Sequence, residues 1–150
     1  MVHEEGFNQD SEGYEFLTKF GIEQVKKIYL KVAKTGTRRD VQCPETFEEG
    51  VRLPNLIDEF EEGFKERVGS RLPYTNIAAW AFHFFTFNQP LKNCNHRTGL
   101  EIMKIVLLAF RKKLAIESNE ELLEVLENFE RKHTPATEIQ EWLSQNLSAI

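Results

Sequence analysis

The chain has only two cysteines and no surplus of positive charge: 19 lysines and arginines are outnumbered by 24 aspartates and glutamates, for a formal net charge of −5. Cys43 and Cys94 are too few and too isolated to suggest a disulfide framework, so a reducing compartment, the cytoplasm, is expected. The acidic balance argues against the basic patch that nonspecific binding of DNA or RNA requires. Long apolar runs are missing as well. A bilayer span takes roughly 18 or more apolar residues. Ile77 to Phe87 is too short, and the next run is broken by Lys104 and Arg111, so no membrane association is expected. The first six residues are acidic, with neither a basic start nor an apolar run, and no secretory signal is expected. The four histidines, His3, His83, His96 and His133, are scattered without ligand spacing, which makes a zinc site improbable. No convincing strand alternation and no internal repeat occur.

Apolar residues at helical spacing fill the rest. At 150 residues the chain suits a single domain, able to bury roughly two thirds of the surface its unfolded form exposes. Twelve phenylalanines point to a well-filled interior. Residues 1 to about 12 are polar and are expected as a loose arm. A first helix is predicted over Ile22 to Lys34, with Val25, Ile28, Tyr29 and Val32 as its apolar stripe and Thr35-Gly36-Thr37 as its stop. A polar connection from Arg38 to Pro44 leads to a short helix at best over Glu45 to Arg52. Pro54 suits a first helical position, followed by Leu56, Ile57, Phe60, Phe64 and Val68. Ile77 to Phe87 is apolar on nearly every face, as a central core helix must be. Leu100 to Leu114 is again helical in pattern. Ser118 with Glu121 forms a capping box for Glu120 to Arg131, and Thr134-Pro135 opens a last helix to about Leu147. The fold class expected is all-α, about six to seven helices around a buried central one.

Between the two core helices lies Gln89 to Gly99, a polar turn carrying an arginine. The helix beginning near Asn95 to Thr98 offers unpaired backbone N–H groups and the positive end of its dipole, an anion site by default. Asn95 can cap that helix or hold the loop, and Arg97 presents a planar fork suited to phosphate oxygens.

This turn resembles the signature loop of the Fic/Doc (death-on-curing) superfamily, in which a histidine is followed by x-Phe-x-(Asp/Glu/Asn)-(Gly/Ala)-Asn-(Gly/Lys)-Arg. The frame falls on Gln89, Pro90, Leu91, Lys92, Asn93, Cys94, Asn95, His96 and Arg97, followed by Thr98 and Gly99. The likeness extends to Ile22 to Ala33, to Asn76 to Phe87 and to the tail helices, covering about the whole chain after residue 20. It implies a Fic/Doc-like helical bundle, ATP or another nucleotide with magnesium, and transfer of a phosphoryl or nucleotidyl (AMP) group to a protein hydroxyl. Nucleotide or phosphate would be held by Asn93, Cys94, Asn95, His96 and Arg97. Gln89 stands at the catalytic histidine and has no basic nitrogen to take the proton. That loss alone removes on the order of a hundred- to ten-thousand-fold in rate. Asn93 stands where most members carry the metal-holding carboxylate, so Mg affinity should fall. No window matches the family's self-inhibitory motif; control would come from a separate partner, as in toxin–antitoxin pairs, whose acidic helix would meet the groove around Arg97.

The residues also carry plainer readings. Arg97 could pair with Glu101, Asn95 could be only a helix cap, and His96, where Doc-like proteins carry lysine, could simply face solvent. His83 could replace the missing base, but it lies about 9 Å of helical rise before Gln89 and reads better as a core histidine. Cys94, beside Arg97 and near a helix start, has the surroundings of a reactive thiol, yet no base or resolving cysteine is visible. Glu45, Glu48 and Glu49 read as a solvated face, and Arg111-Lys112-Lys113 as compensation of a helix dipole. The sequence therefore points to a phosphate- or nucleotide-binding relative with weak or no transferase activity. The alternatives are an active toxin and a helical interaction domain with a vestigial loop.

Overall fold

Helix α5, Tyr74–Asn88, buries Ile77, Ala78, Ala79, Ala81, Phe82, Phe84, Phe85 and Thr86, so apolar residues on nearly every side are matched by protein on nearly every side. The structure, a computed structural model, describes residues 2–35 and 43–150. Around α5 pack α4 (Pro54–Gly69), α6 (Asn95–Ala109) and α8 (Ala136–Gln145), while α1 (Val2–Thr18) rests on α4 and α6, and α2 (Ile22–Thr35) on α6. A four-residue α3 (Phe47–Gly50) and α7 (Asn119–Arg131) complete the helices among the described residues. The all-α class expected from periodicity is the class observed.

Two close approaches set the geometry. At Gly99 an added Cβ would lie 3.1 Å from Phe85 Cβ and 3.3 Å from the Phe82 carbonyl oxygen, so α6 runs against the backbone of α5 where the loop between them ends. Across α4, Phe60 is the hub of the aromatic core, its ring centroid 4.9 Å from Phe85, 5.3 Å from Trp80 and 5.5 Å from Phe84. Trp80 is sandwiched in turn by the Arg67 guanidinium, 4.1 Å from its centroid, a cation–π contact.

Four details differ from the sequence expectation. The N-terminal segment, expected as a loose arm to about residue 12, has helical backbone from Val2. Its second half is docked: Leu17 is buried, Gly13 packs under the Phe110 ring, and Tyr14 Oη donates to the Leu72 carbonyl at 2.6 Å. Helix α6 stops at Ala109, because Arg111 takes a left-handed φ of 59°. The basic run is then not a helix end: Lys112–Leu114 forms β1, antiparallel to β2 (Leu147–Ala149) in the register Leu114 opposite Leu147. Leu147 consequently belongs to this ribbon and not to α8, whose N-cap is Pro135 with no side-chain cap. Most of the expected polar connection, and the Gly36-Thr37 stop, lie outside the described residues.

Phe60 is 2% exposed and touches four other rings. Phe60→Ala is expected to cost about 3–5 kcal/mol in unfolding free energy, measured by urea denaturation, with an unchanged m-value.

Candidate anion-binding site

The chain leaves α5 at Gln89 and enters α6 at Cys94, both left-handed without being glycine, with φ of 48° and 70°. Each such residue costs roughly 1–2 kcal/mol, so the loop is held by its surroundings. Asn95 supplies the first hold. Its Nδ2 donates to the Leu91 carbonyl at 2.9 Å and its Oδ1 accepts from the Leu91 N–H at 3.0 Å, closing the loop on itself in a buried position. Asn95 thus holds the loop. The N-cap position itself belongs to Cys94, whose carbonyl takes the Thr98 N–H at 3.0 Å.

The second hold comes from the segment after α3. Val51 bridges Leu91, the Pro90 carbonyl accepts from the N–H groups of Arg52 and Leu53 at 2.8 and 3.1 Å, and Lys92 N–H donates to the Gly50 carbonyl at 2.8 Å. Arg52 then caps the open end of α5, its guanidinium donating to the Gln89 and Asn88 carbonyls at 2.8 and 3.0 Å. Arg52 carried no signal in the sequence, since its partners lie 36 and 37 residues away. The stretch before α3 is tied in covalently: Cys43 and Cys94 form a disulfide, with Cα atoms 6.1 Å apart. This corrects the expectation of two isolated thiols and, in this state, removes the free reactive thiol considered for Cys94. Their 51-residue separation hid the pairing.

Arg97 lies over these sulfurs, its Nη2 3.6 Å from Cys94 Sγ and 4.0 Å from Cys43 Sγ. Glu101, the plain partner considered for it, has its carboxylate 3.6 Å from Lys104 Nζ. Beyond Arg97 opens a cavity of about 380 Å³, walled on one side by Cys94, His96 and Arg97 and on the other by α7, through Glu127, Glu130 and Arg131 over Leu123 and Leu126. Gln89 and Asn93 are exposed and outside this lining. His96 Nε2 is paired with Glu130 Oε2 across the cavity. An acidic helix was expected to reach this groove from a partner; here the chain's own α7 brings Glu127 and Glu130 to it.

No family model, curated protein or solved structure matches the chain. The site therefore has to be judged on its own chemistry. The start of α6 and the Arg97 fork attract anions, whereas the α7 carboxylates oppose them, giving a cavity of mixed sign. No cluster of three metal-binding side chains occurs among the described residues, and no helix is long and apolar enough to cross a membrane. Glu45, Glu48 and Glu49 are exposed, as a solvated face should be. His83, half-buried, stacks on Phe87 at 4.4 Å, and burial pushes its pKa below the ordinary 6.5.

Two outcomes follow from this geometry. Asn95→Ala would strand the Leu91 N–H and carbonyl in a buried loop and should cost about 2–4 kcal/mol; Asn95→Asp keeps the acceptor but turns a buried carboxylate oxygen on the Leu91 carbonyl and should cost at least as much, by chemical denaturation. Because folding disfavours protonated His83, its contribution is intact above about pH 6.5 and is lost as pH falls through the depressed folded value. His83→Gln should flatten the fall in melting temperature below that pH; an unchanged slope would assign it to other groups.

Proposed function

We propose that the loop from Gln89 to Arg97 binds phosphate, most usefully as part of a nucleotide, in a Fic/Doc-like protein whose transferase activity is weak or lost. The observation that carries this reading is the Arg97 guanidinium at the N-terminal turn of a 15-residue helix, on the wall of a cavity of about 380 Å³, within the usual range for small-molecule sites. The α7 carboxylates work against a bare anion. They favour a nucleotide with its charge already offset by magnesium, an ion that Asn93, bringing no carboxylate, would hold only weakly. Gln89 cannot act as a base, so an active toxin performing AMP or phosphoryl transfer is the weaker form of the proposal, and its protein target or antitoxin-like regulator belongs with it. A cytoplasmic setting remains part of this reading, with the Cys43–Cys94 disulfide then a transient one. A helical interaction domain draws support from Leu108 and Ile150, 59% and 68% exposed.

Thermal unfolding with ATP and magnesium, ATP alone and inorganic phosphate tests the proposal. A ligand at a hundred times its dissociation constant adds about 2.7 kcal/mol. Stabilisation by Mg·ATP that is lost in Arg97→Ala is expected, and no shift with any of the three would make the loop a relic. Restoring the chemistry with Gln89→His and Asn93→Asp together should awaken label transfer from ATP to protein if the site is an eroded enzyme; binding without transfer would confine it to recognition.

A further inference from the structure

The Cys43–Cys94 disulfide does not sit where a staple is most needed. The disulfide enters from Cys43, before α3, whereas the stretch after α3 is held to the loop independently of it by the Arg52, Leu53 and Lys92 backbone bonds and by the Arg52 guanidinium, so opening the disulfide leaves that framework standing. Nor is it sealed in the apolar interior. Cys43 is half-buried, Cys94 lines the cavity, and a permanent cation lies within 4.0 Å of both sulfurs. An arginine beside sulfur at a helix N-terminus favours thiolate over thiol, which helps either sulfur to leave in exchange.

The cavity also suggests what would come to it. Arg97 and Arg131 can take carboxylates, while Glu127 and Glu130, the latter already in contact with His96, form an acidic side that attracts an ammonium, so the lining suits a small zwitterion better than a simple anion or a neutral molecule. We infer that Cys43–Cys94 is a thiol–disulfide exchange site, reached through this cavity by a small zwitterionic thiol. The incoming thiol loses its proton to solvent and its sulfur attacks Cys94 Sγ, the sulfur on the cavity wall. The Cys43–Cys94 bond breaks, and its electron pair leaves on Cys43 as a thiolate beside Arg97. A second thiol attacks the mixed disulfide and displaces the Cys94 thiolate, also beside Arg97. In sum, two small thiols are oxidised to their disulfide and the protein disulfide is reduced to two thiols. The inference does not rest on nucleotide binding.

The test uses the full oxidised chain without nucleotide, with reduced glutathione as the zwitterionic probe and 2-mercaptoethanol as the neutral one. Rates are corrected for each probe's thiolate fraction and for its reactivity toward an unstructured disulfide. Glutathione should then be favoured at least tenfold. Arg131→Ala, an exposed position on α7, should erase most of that preference, and Arg97→Ala should slow both probes. In Cys43→Ser, oxidised glutathione should leave its adduct on Cys94, by peptide mass mapping. Equal corrected rates for the two probes would overturn the inference, as would failure of Cys94 to take the adduct or reduction only under denaturing conditions. If Arg97→Ala does not fold, Arg131→Ala and Cys43→Ser decide the matter.

Discussion

A helix that is apolar around its whole circumference has to be enclosed, and the burial of α5 is the constraint on which the rest of this molecule depends. Its neighbours α4, α6 and α8 are placed by that need, and α6 is drawn to backbone contact at Gly99. The turn that follows α5 is buried at Pro90, Leu91, Cys94 and Asn95, and there its backbone groups have to be satisfied without water. Asn95 and the segment from Gly50 to Leu53 meet that requirement. A polar loop held by buried hydrogen bonds at the start of a long helix is thus the by-product of covering an apolar one.

The helices were legible because each depends on residues close in sequence. Pro54 opens α4, Ser118 accepts from the Glu121 N–H to open α7, and the Val25, Ile28, Tyr29 and Val32 stripe is buried as its spacing implies. The ribbon of β1 and β2 was not legible, since three residues a side give no alternation to detect and its partners come from opposite ends of the last third of the chain. The N-terminal helix escaped because its docking residues Tyr14 and Leu17 follow a polar stretch.

The site was half legible for the same reason. The loop, its Asn95 clamp and the nearness of Arg97 to the start of α6 could be anticipated, as all lie within nine residues of sequence. Cys43, Arg52 and the α7 carboxylates could not, because they arrive by tertiary packing. Those arrivals change the chemistry. The Ser118 capping box marked the start of α7 but said nothing of Glu127 and Glu130 facing Arg97 across the cavity, and they turn a plain anion cradle into a cavity of mixed charge.

The central claim, that a phosphate-bearing ligand sits at the N-terminal turn of α6, is open to direct measurement. Amide chemical shifts recorded by two-dimensional NMR during titration with Mg·ATP should move first and most at Asn95, His96, Arg97 and Thr98, with the Arg97 side-chain Nε–H following. Saturable shifts confined to other surfaces, with these four amides unmoved, would contradict it.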